Sequence, residues 1–226
     1  MSKRIPARTR APSFFRRNGL SIVVLLMMLA AWSAQCATGF AAHNQELLEH
    51  GRPSWKFSHY LMSGDFWAAT FENWESEFLQ MGVYVLLTVW LRQKGSAESR
   101  PLDESEEQDE PTPAHRQPRA WRRGGVVRWL YGNSLSLAFL LLFLLSFTGH
   151  LFGSWRKSLG DAGMHHQPPQ SLAEYAVDPS FWFESFQNWQ SEFLAVFSLI
   201  VLSIFLRQKG SPQSKKVDEP NSKTGT

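Results

Sequence analysis

Cysteine is scarce in this chain, and charged residues are absent from two long stretches. Cys36 is the single cysteine among 226 residues, which excludes an intramolecular disulfide framework. No Asp, Glu, Lys or Arg occurs from Asn18 to Gln45 or from Tyr131 to Trp155. Because about 20 apolar residues at 1.5 Å each cross a hydrocarbon core of about 30 Å, both runs predict transmembrane helices.

Recognised catalytic and cofactor-binding motifs are missing as well. The sequence has no Gly-x-Ser-x-Gly, no zinc-protease helix and no phosphate-binding glycine loop. A divalent metal site in the two intervening loops is an alternative that lacks support, because their histidines follow no fixed ligand spacing. These are His43, His50, His59, His165 and His166. We therefore expect a non-enzymatic protein without a cofactor or metal site.

A stretch of 34 residues occurs twice. Residues 66–99 recur as 181–214 at a constant offset of 115, with 17 identical positions. The first apolar run shares this offset, since Asn18 and Leu20 recur as Asn133 and Leu135. A copy in mid-chain cannot be an export signal, so we expect the N-terminal run to be a retained helix and not a cleaved signal peptide. The repeat predicts a duplicated unit.

The repeated stretch itself predicts a second type of helix. Asp178 before Pro179 is typical of an N-cap with proline at the first helical position. Aromatic residues then recur on one helix face, an arrangement typical of a belt at the membrane surface. The belt residues are Trp67, Phe71 and Trp74 in the first copy and Trp182, Phe186 and Trp189 in the second.

The apolar part after each belt has only 14 residues, which also fits an interfacial or re-entrant segment. Spanning is favoured because the helical pattern extends back through the belt to about 27 residues, or roughly 40 Å. Each copy then ends in Arg-Gln-Lys-Gly, with cations at the negative helix end and glycine available for the C-cap.

Basic residues are distributed unevenly along the chain. Of 23 Lys and Arg, six lie in 1–17, eight in 92–128 and five from 207 onward, which leaves four for the other two loops. This asymmetry follows the positive-inside rule and places both termini in the cytoplasm. It also argues against nucleic-acid binding as the reason for the net charge of +3.

The sequence thus predicts an all-α membrane protein with four transmembrane helices from a tandem duplicated helical hairpin, a parallel internal repeat. The expected segments are a basic N-terminus (1–17), a first repeat (18–95, spans about 20–42 and 72–92), an acidic, proline-containing disordered linker (96–127), a second repeat (128–210, spans about 134–154 and 188–207) and a disordered tail (211–226).

Several polar residues fall at one depth of this arrangement. Helix rise places Gln35, Glu77, His150 and Glu192 about 21–22 Å above the inner edge of the hydrocarbon core. Asn73 and Asn188 lie one turn above the glutamates. Glu72 and Glu75 become Gln187 and Gln190 in the second copy, so charge at those positions is dispensable to the repeat, whereas the Asn and Glu pair is retained.

Two interpretations of this intramembrane polar cluster remain open. In one, Glu77 and Glu192 share a proton and His150 acts as a relay, because ionisable groups in a membrane by default indicate a functional site. In the other, each glutamate is an interfacial anchor, while Gln35 and His150 pair helices. The sequence favours the structural interpretation.

The motifs Asn-x-Leu-Ser-Leu at 133–137, Phe-Glu-Asn-Trp-Glu-Ser-Glu-Phe-Leu-Gln-Met at 71–81 and Leu-Arg-Gln-Lys-Gly-Ser-Ala-Glu-Ser at 91–99 resemble an uncharacterised family of small bacterial membrane proteins, a domain of unknown function. The resemblance implies a multi-pass protein of the bacterial cytoplasmic membrane and supplies no activity. We expect a structural or interaction element in the lipid bilayer, with a homo-oligomer or another membrane protein as partner; a small transporter or ion- or proton-conducting protein is the alternative.

Overall fold

The computed structural model describes residues 13–102 and 110–225, and all regular structure in these ranges is helical. The helices are α1 Phe14–Glu49, α2 Phe57–Tyr60, α3 Gly64–Trp90, α4 Arg119–Arg122, α5 Gly125–Gly132, α6 Ser134–Met164, α7 Leu172–Tyr175 and α8 Pro179–Phe205. The expected all-α class is therefore confirmed for the described residues. The chain divides into two compact units, Met1–Met62 and Ser63–Thr226.

The first unit is a long helix with a short helix folded back on its end. α1 continues to Glu49, so the loop expected from residue 43 begins later than the sequence predicts. Asn44 explains the difference, because its side chain pairs with the backbone N–H and C=O of Trp55 (2.6 and 3.2 Å) and holds the returning chain against the helix. Tyr60 is buried, and a Cβ on Gly39 would lie 2.2 Å from its hydroxyl oxygen.

Asparagine interrupts the helix near the start of both long apolar runs. Asn18 has φ −120° and ψ 15° inside α1, and Asn133 has φ −112° and ψ 11° between α5 and α6. Each side chain donates to the carbonyl four residues earlier, Phe14 at 2.9 Å and Trp129 at 2.8 Å. An asparagine side chain that bonds to nearby backbone competes with the helix ladder, which explains the break at both places.

In the second unit, α3 and α6 pack with their backbones in close approach. A Cβ on Gly153 would lie 2.5 Å from the backbone nitrogen of Ala68, and one on Gly64 would lie 2.4 Å from that of Lys157. One turn below, the ring of Phe71 covers Gly149 at 2.5 Å from the same ideal position. Small residues at a helix interface permit this approach, which favours packing where hydrophobicity supplies no driving force.

α8 completes the bundle by packing along α3 and by touching α6 through aromatic rings. Phe147 of α6 contacts Phe181 and Trp182 of α8, with ring centroids 5.6 and 6.0 Å apart. The N-cap expected at Asp178 is confirmed, since its carboxylate accepts from the backbone N–H of Ser180 (2.8 Å). The closest backbone partner of α6 is therefore α3, a helix of the other sequence copy.

The C-terminal ends of α3 and α8 have the same structure. The expected glycine C-cap is wrong, because the helices stop at extended residues Leu91 and Leu206, while Gly95 and Gly210 adopt positive φ (84° and 82°) in the turn beyond. The cations do lie where expected. Arg92 donates to the last-turn carbonyl of Thr88 (2.9 Å), and Arg207 donates to the equivalent carbonyl of Ser203 in its own helix (3.4 Å).

The C-terminal segment is folded in the structure over residues 211–225, in contrast to the expected disorder. Lys215 is 1% exposed, and its ammonium donates to the backbone carbonyls of Gly95, Asn221 and Lys223. Gly225 N–H donates to the carbonyl of Ser96 (2.9 Å). Polar backbone groups of two loops thus satisfy each other around one lysine, which a composition argument for disorder does not consider.

The expected disordered linker also differs from the structure in its second part. α4 lies within 96–127 and α5 begins there at Gly125, with the guanidinium of Arg128 4.1 Å from the centroid of the Trp121 ring. Residues 103–109, which hold most of the acidic cluster, lie outside the described residues, as do 1–12 of the basic N-terminus and residue 226.

Three helices in the described residues are long and apolar enough to cross a membrane: α1, α6 and α8. α3 has the same 27 residues as α8 and does not reach that apolarity. It carries Asp65, Glu72, Glu75 and Glu77, and its buried residues are largely polar. Glu75 and Gln80 of α3 contact α8, and Glu75 also contacts His150 of α6. α6 and α8 expose many large apolar side chains.

Candidate functional site

The residues expected at one membrane depth separate into different environments. Glu77 and Glu192 face each other across the α3 and α8 seam, close enough to be hydrogen-bonded, but Glu77 is exposed and Glu192 half-buried. Gln80 donates to the backbone carbonyl of Glu192 at 3.1 Å and joins the two helices there. This pair therefore lies at the rim of the bundle.

The two asparagines of the expected set differ from each other. The Asn73 side chain is exposed and donates to the carbonyl of Ala69 in its own helix (2.7 Å). Asn188 instead reaches across to α3, where its side-chain amide donates to the carboxylate of Glu72. Gln35 is half-buried in the first unit.

His150 occupies the centre of a different cluster from the one expected. Its side chain is fully buried, with Nδ1 3.1 Å from Oε2 of Glu75 and Nε2 3.6 Å from Oε2 of Glu184. Ligand atoms of Glu72, His150 and Glu184 all lie within 4.8 Å of one another. The grouping of His150 with Glu77 and Glu192 is thus wrong, because the ring of His150 is enclosed by three other glutamates.

The fully buried carboxylate of Glu75 is held by α8. Its Oε1 accepts from the hydroxyl of Ser185 (2.9 Å) and from the indole N–H of Trp189 (3.3 Å), while Oε2 faces His150. Both Glu72 and Glu75 belong to this cluster, although charge at these positions is not retained in the second copy of the repeat. Burial of a carboxylate without such partners would be costly.

Local packing explains why the cluster forms at this level. His150 follows Gly149 on α6, where the close approach to α3 brings the imidazole beside Glu75. Phe181 is 1% exposed and covers the other side of the imidazole, with ring centroids 5.0 Å apart. α8 supplies Glu184 one turn after Phe181 and Asn188 one turn later.

The sequence repeat did not predict this cluster, because the two copies carry different residues at the cluster positions. At the offset of 115, His150 corresponds to Gln35, Glu75 to Gln190 and Glu72 to Gln187. Glu184 corresponds to Ala69. Every charged or titratable member is therefore unique to one copy, whereas Glu77 and Glu192, the predicted pair, are shared by both copies. Glutamates that lie among the aromatic residues of each stripe and occur in only one copy were the sequence feature that indicated this cluster.

The aromatic stripes are continuous ring stacks in the structure. In α3, Trp67 stacks on Phe71 at 5.3 Å and Phe71 meets Trp74 edge-on at 5.7 Å. In α8, Trp182 and Trp189 flank Phe186 at 5.6 and 5.3 Å. These rings are contiguous on each helix, as expected, and Trp189 has the added task of binding Glu75.

The loop histidines are dispersed among other contacts. Trp55 stacks on His59 with centroids 4.1 Å apart, and the buried ring of His43 lies 4.4 Å from that of Trp55. His165 and His166 are exposed. In the described residues these side chains form no group of three metal-ligand types within ligand distance of each other.

The short helix α7 precedes α8 outside the apolar segments and contains two groups whose pKa values are shifted. Ser171 and Glu174 form a capping box, and hydrogen bonds from the backbone and side chain of Ser171 lower the pKa of the Glu174 carboxyl. Burial raises the pKa of the Tyr175 hydroxyl to about 12.

Comparison with known proteins yields one match. A family model described as a domain of unknown function (DUF6766) covers residues 11–226. The chain belongs to the DUF6766 family. Searches of curated proteins and of solved structures returned no match.

The family assignment confirms the expected resemblance to a domain of unknown function, and the matched range includes the Asn-Trp motif and both copies of the Arg-Gln-Lys-Gly motif. In this DUF6766 chain the second motif has a structural explanation. Gln93 N–H donates to the hydroxyl of Ser99 (2.8 Å), and Gln208 N–H donates to that of Ser214 (2.9 Å). The motif thus encodes a turn that closes the end of each helix.

Proposed function

We propose that this chain is a multi-pass protein of the bacterial cytoplasmic membrane, with four transmembrane helices and both termini in the cytoplasm. The helix bounds support a tandem duplication, because α1 and α6 end at Glu49 and Met164, and α3 and α8 span 64–90 and 179–205. Each of these helix bounds in the first copy lies 115 residues before its counterpart in the second copy. The distribution of basic residues supports the orientation.

α3 serves as the fourth span in this proposal despite its acidic residues. Its length of 27 residues corresponds to roughly 40 Å of helix, enough to cross the bilayer. Its buried polar side chains are covered by protein, and two of them, Glu75 and Gln80, bind α8. Polar groups at membrane depth are tolerated where protein covers them.

We propose further that the protein acts as a non-enzymatic structural or interaction element within the membrane. The observation that carries this proposal is the use of the buried polar groups to hold helices together. Glu75 binds Ser185 and Trp189 across helices, and Gln80 binds the α8 backbone. The exposed apolar faces of α6 and α8 then remain for lipid and for a second copy or another membrane protein.

Topology and assembly are tested by separate measurements. Reporter fusions after residues 110 and 226 should be active only with a cytoplasmic reporter, and fusions after residues 55 and 168 only with a periplasmic one. A periplasmic residue 110 would contradict the four-span arrangement. For assembly, cysteines introduced on the exposed face of α8 should form disulfide-linked homodimers in native membranes, whereas a uniform monomer would reject self-association.

A small transporter or ion- or proton-conducting protein is the second candidate. The buried His150 among three glutamates favours it, since intramembrane titratable clusters mark transport sites in other proteins. A transport site requires a water path, so Glu77→Cys or Glu184→Cys should react with a membrane-impermeant thiol reagent added from outside. In vesicles, Glu184→Gln should abolish ion movement; unchanged flux would exclude the His150 cluster as the conducting site.

A further inference from the structure

Three carboxylates from two helices converge on one buried imidazole of a third helix. Glu72 and Glu75 come from α3, His150 from α6 and Glu184 from α8. His150 is 0% exposed, and neither ring nitrogen has a hydrogen bond of acceptable geometry, although both face carboxylate oxygens at 3.1 and 3.6 Å. A buried polar group without a satisfactory hydrogen bond calls for an explanation, such as a bound ion.

The charges of the cluster do not balance. In the described part of the chain, no Lys or Arg side chain pairs with Glu72, Glu75 or Glu184, so one imidazole faces three carboxyl groups. Carboxylates that are withdrawn from water need hydrogen bonds, protons or cations. Ser185, Trp189 and Asn188 supply neutral donors only. A positive charge added between the carboxylates would remove this imbalance.

The donor atoms lie close to the spacing of a metal centre. Nε2 of His150 faces Glu184, and one ligand atom each of Glu72, His150 and Glu184 lies within 4.8 Å of the other two. Ligands at about 2.1 Å from a tetrahedral ion are about 3.4 Å apart. Small side-chain rotations are therefore sufficient to bring these three groups onto one ion.

The surrounding residues match the outer partners of a metal-bound histidine. Such a histidine directs its other ring nitrogen to a carboxylate or carbonyl, which sets the ring orientation. Here Nδ1 faces Glu75, which is itself fixed by Ser185 and Trp189. Asn188 likewise donates to one oxygen of Glu72 and leaves the second oxygen for a ligand role.

We infer that this cluster is a binding site for a divalent first-row transition-metal ion. His150 Nε2, Glu184 and Glu72 are the ligands, and Glu75 positions the imidazole. The imidazole selects against Ca²⁺ and Mg²⁺, which take oxygen ligands, and the carboxylates select against Cu⁺. The side chain of Glu184 is 37% exposed, so the ion has access from the bundle surface and water can complete its coordination.

The test uses the full-length protein, purified in detergent with a histidine-free tag and stripped with a chelator. Isothermal titration with Zn²⁺ and Mn²⁺, and Co²⁺ absorption as a spectroscopic probe, should show one site per chain. His150→Gln and Glu184→Gln should each weaken that site at least ~100-fold, and Glu75→Gln ~10-fold to 100-fold. Because Glu184 is partly exposed, its variant is expected to fold even if His150→Gln is unstable.

Matched controls exist on the same helices. Glu77→Gln and Glu192→Gln remove carboxylates at the rim and should leave the affinity unchanged, as should replacement of all five loop histidines by Asn. Absence of a metal site in the wild-type protein, or equal affinity in Glu184→Gln with normal helix content, overturns the inference. Neither result affects the topology proposal, which the reporter fusions decide independently.

Discussion

Nδ1 of His150 lies 3.1 Å from Oε2 of Glu75, and both side chains are fully buried between α3 and α6. This contact joins two helices that belong to different copies of the sequence repeat. The second oxygen of Glu75 is held by Ser185 and Trp189 of α8. One carboxylate therefore connects all three long helices of the second unit.

Glu75→Ala should destabilise the bundle by about 1–3 kcal/mol, because the buried hydroxyl of Ser185 and the half-buried indole N–H of Trp189 would lose their acceptor. Thermal unfolding in detergent measures the change. Glu77→Ala removes an exposed carboxylate two residues away and should shift stability by less than about 0.5 kcal/mol. Equal effects of the two variants would contradict the bridging role of Glu75.

Gly153→Ala should separate α3 from α6, since the new Cβ would lie 2.5 Å from the backbone nitrogen of Ala68. Overpacking of this kind costs about 1–3 kcal/mol. Gly160→Ala on the same helix meets no atom within 4 Å and should be neutral or stabilising by about 1 kcal/mol through helix propensity. The midpoint of thermal unfolding compares the pair, and a stable Gly153→Ala protein would refute the close packing.

Lys215→Met should release the C-terminal segment from the last turns of α3 and α8. The carbonyls of Gly95, Asn221 and Lys223 would lose a buried donor, at a cost of about 1–3 kcal/mol for each group left unpaired. Amide hydrogen exchange at Gly225 should become faster. Lys216→Met is the matched control, because that side chain is 79% exposed, and its exchange rates should equal those of the wild-type protein.

The capping box of α7 should be sensitive to acid. Since its folded pKa is lowered, Glu174 contributes stability to α7 above the usual carboxyl pKa of 4.5, and this is lost as pH falls through the folded pKa. Carboxyl resonances in an NMR titration should place the Glu174 midpoint below 4.5 in the wild-type protein and nearer 4.5 in Ser171→Ala. An identical midpoint in both would exclude the hydrogen bonds as the cause.

Local signals in the sequence determined the helices of this protein to a large extent. Asp178 with Pro179 marks the start of α8, the charge-free run predicts α6, and helix ends in the two copies recur 115 residues apart. Caps, proline positions and apolar runs act within one or two turns, so they are readable without knowledge of packing. The turn of the Arg-Gln-Lys-Gly-Ser motif is equally local, because its hydrogen bonds join residues six apart.

Tertiary structure alone decided which polar groups meet. Gly149 and Gly153 let α3 approach α6, and that approach, with α8 alongside, selects Glu75 and Glu184 as the neighbours of His150 over the retained Glu77 and Glu192. The rotation of each helix about its axis depends on such contacts, and depth along the axis does not reveal it. The same reason applies to Lys215, which is buried by carbonyls from loops far apart in the chain.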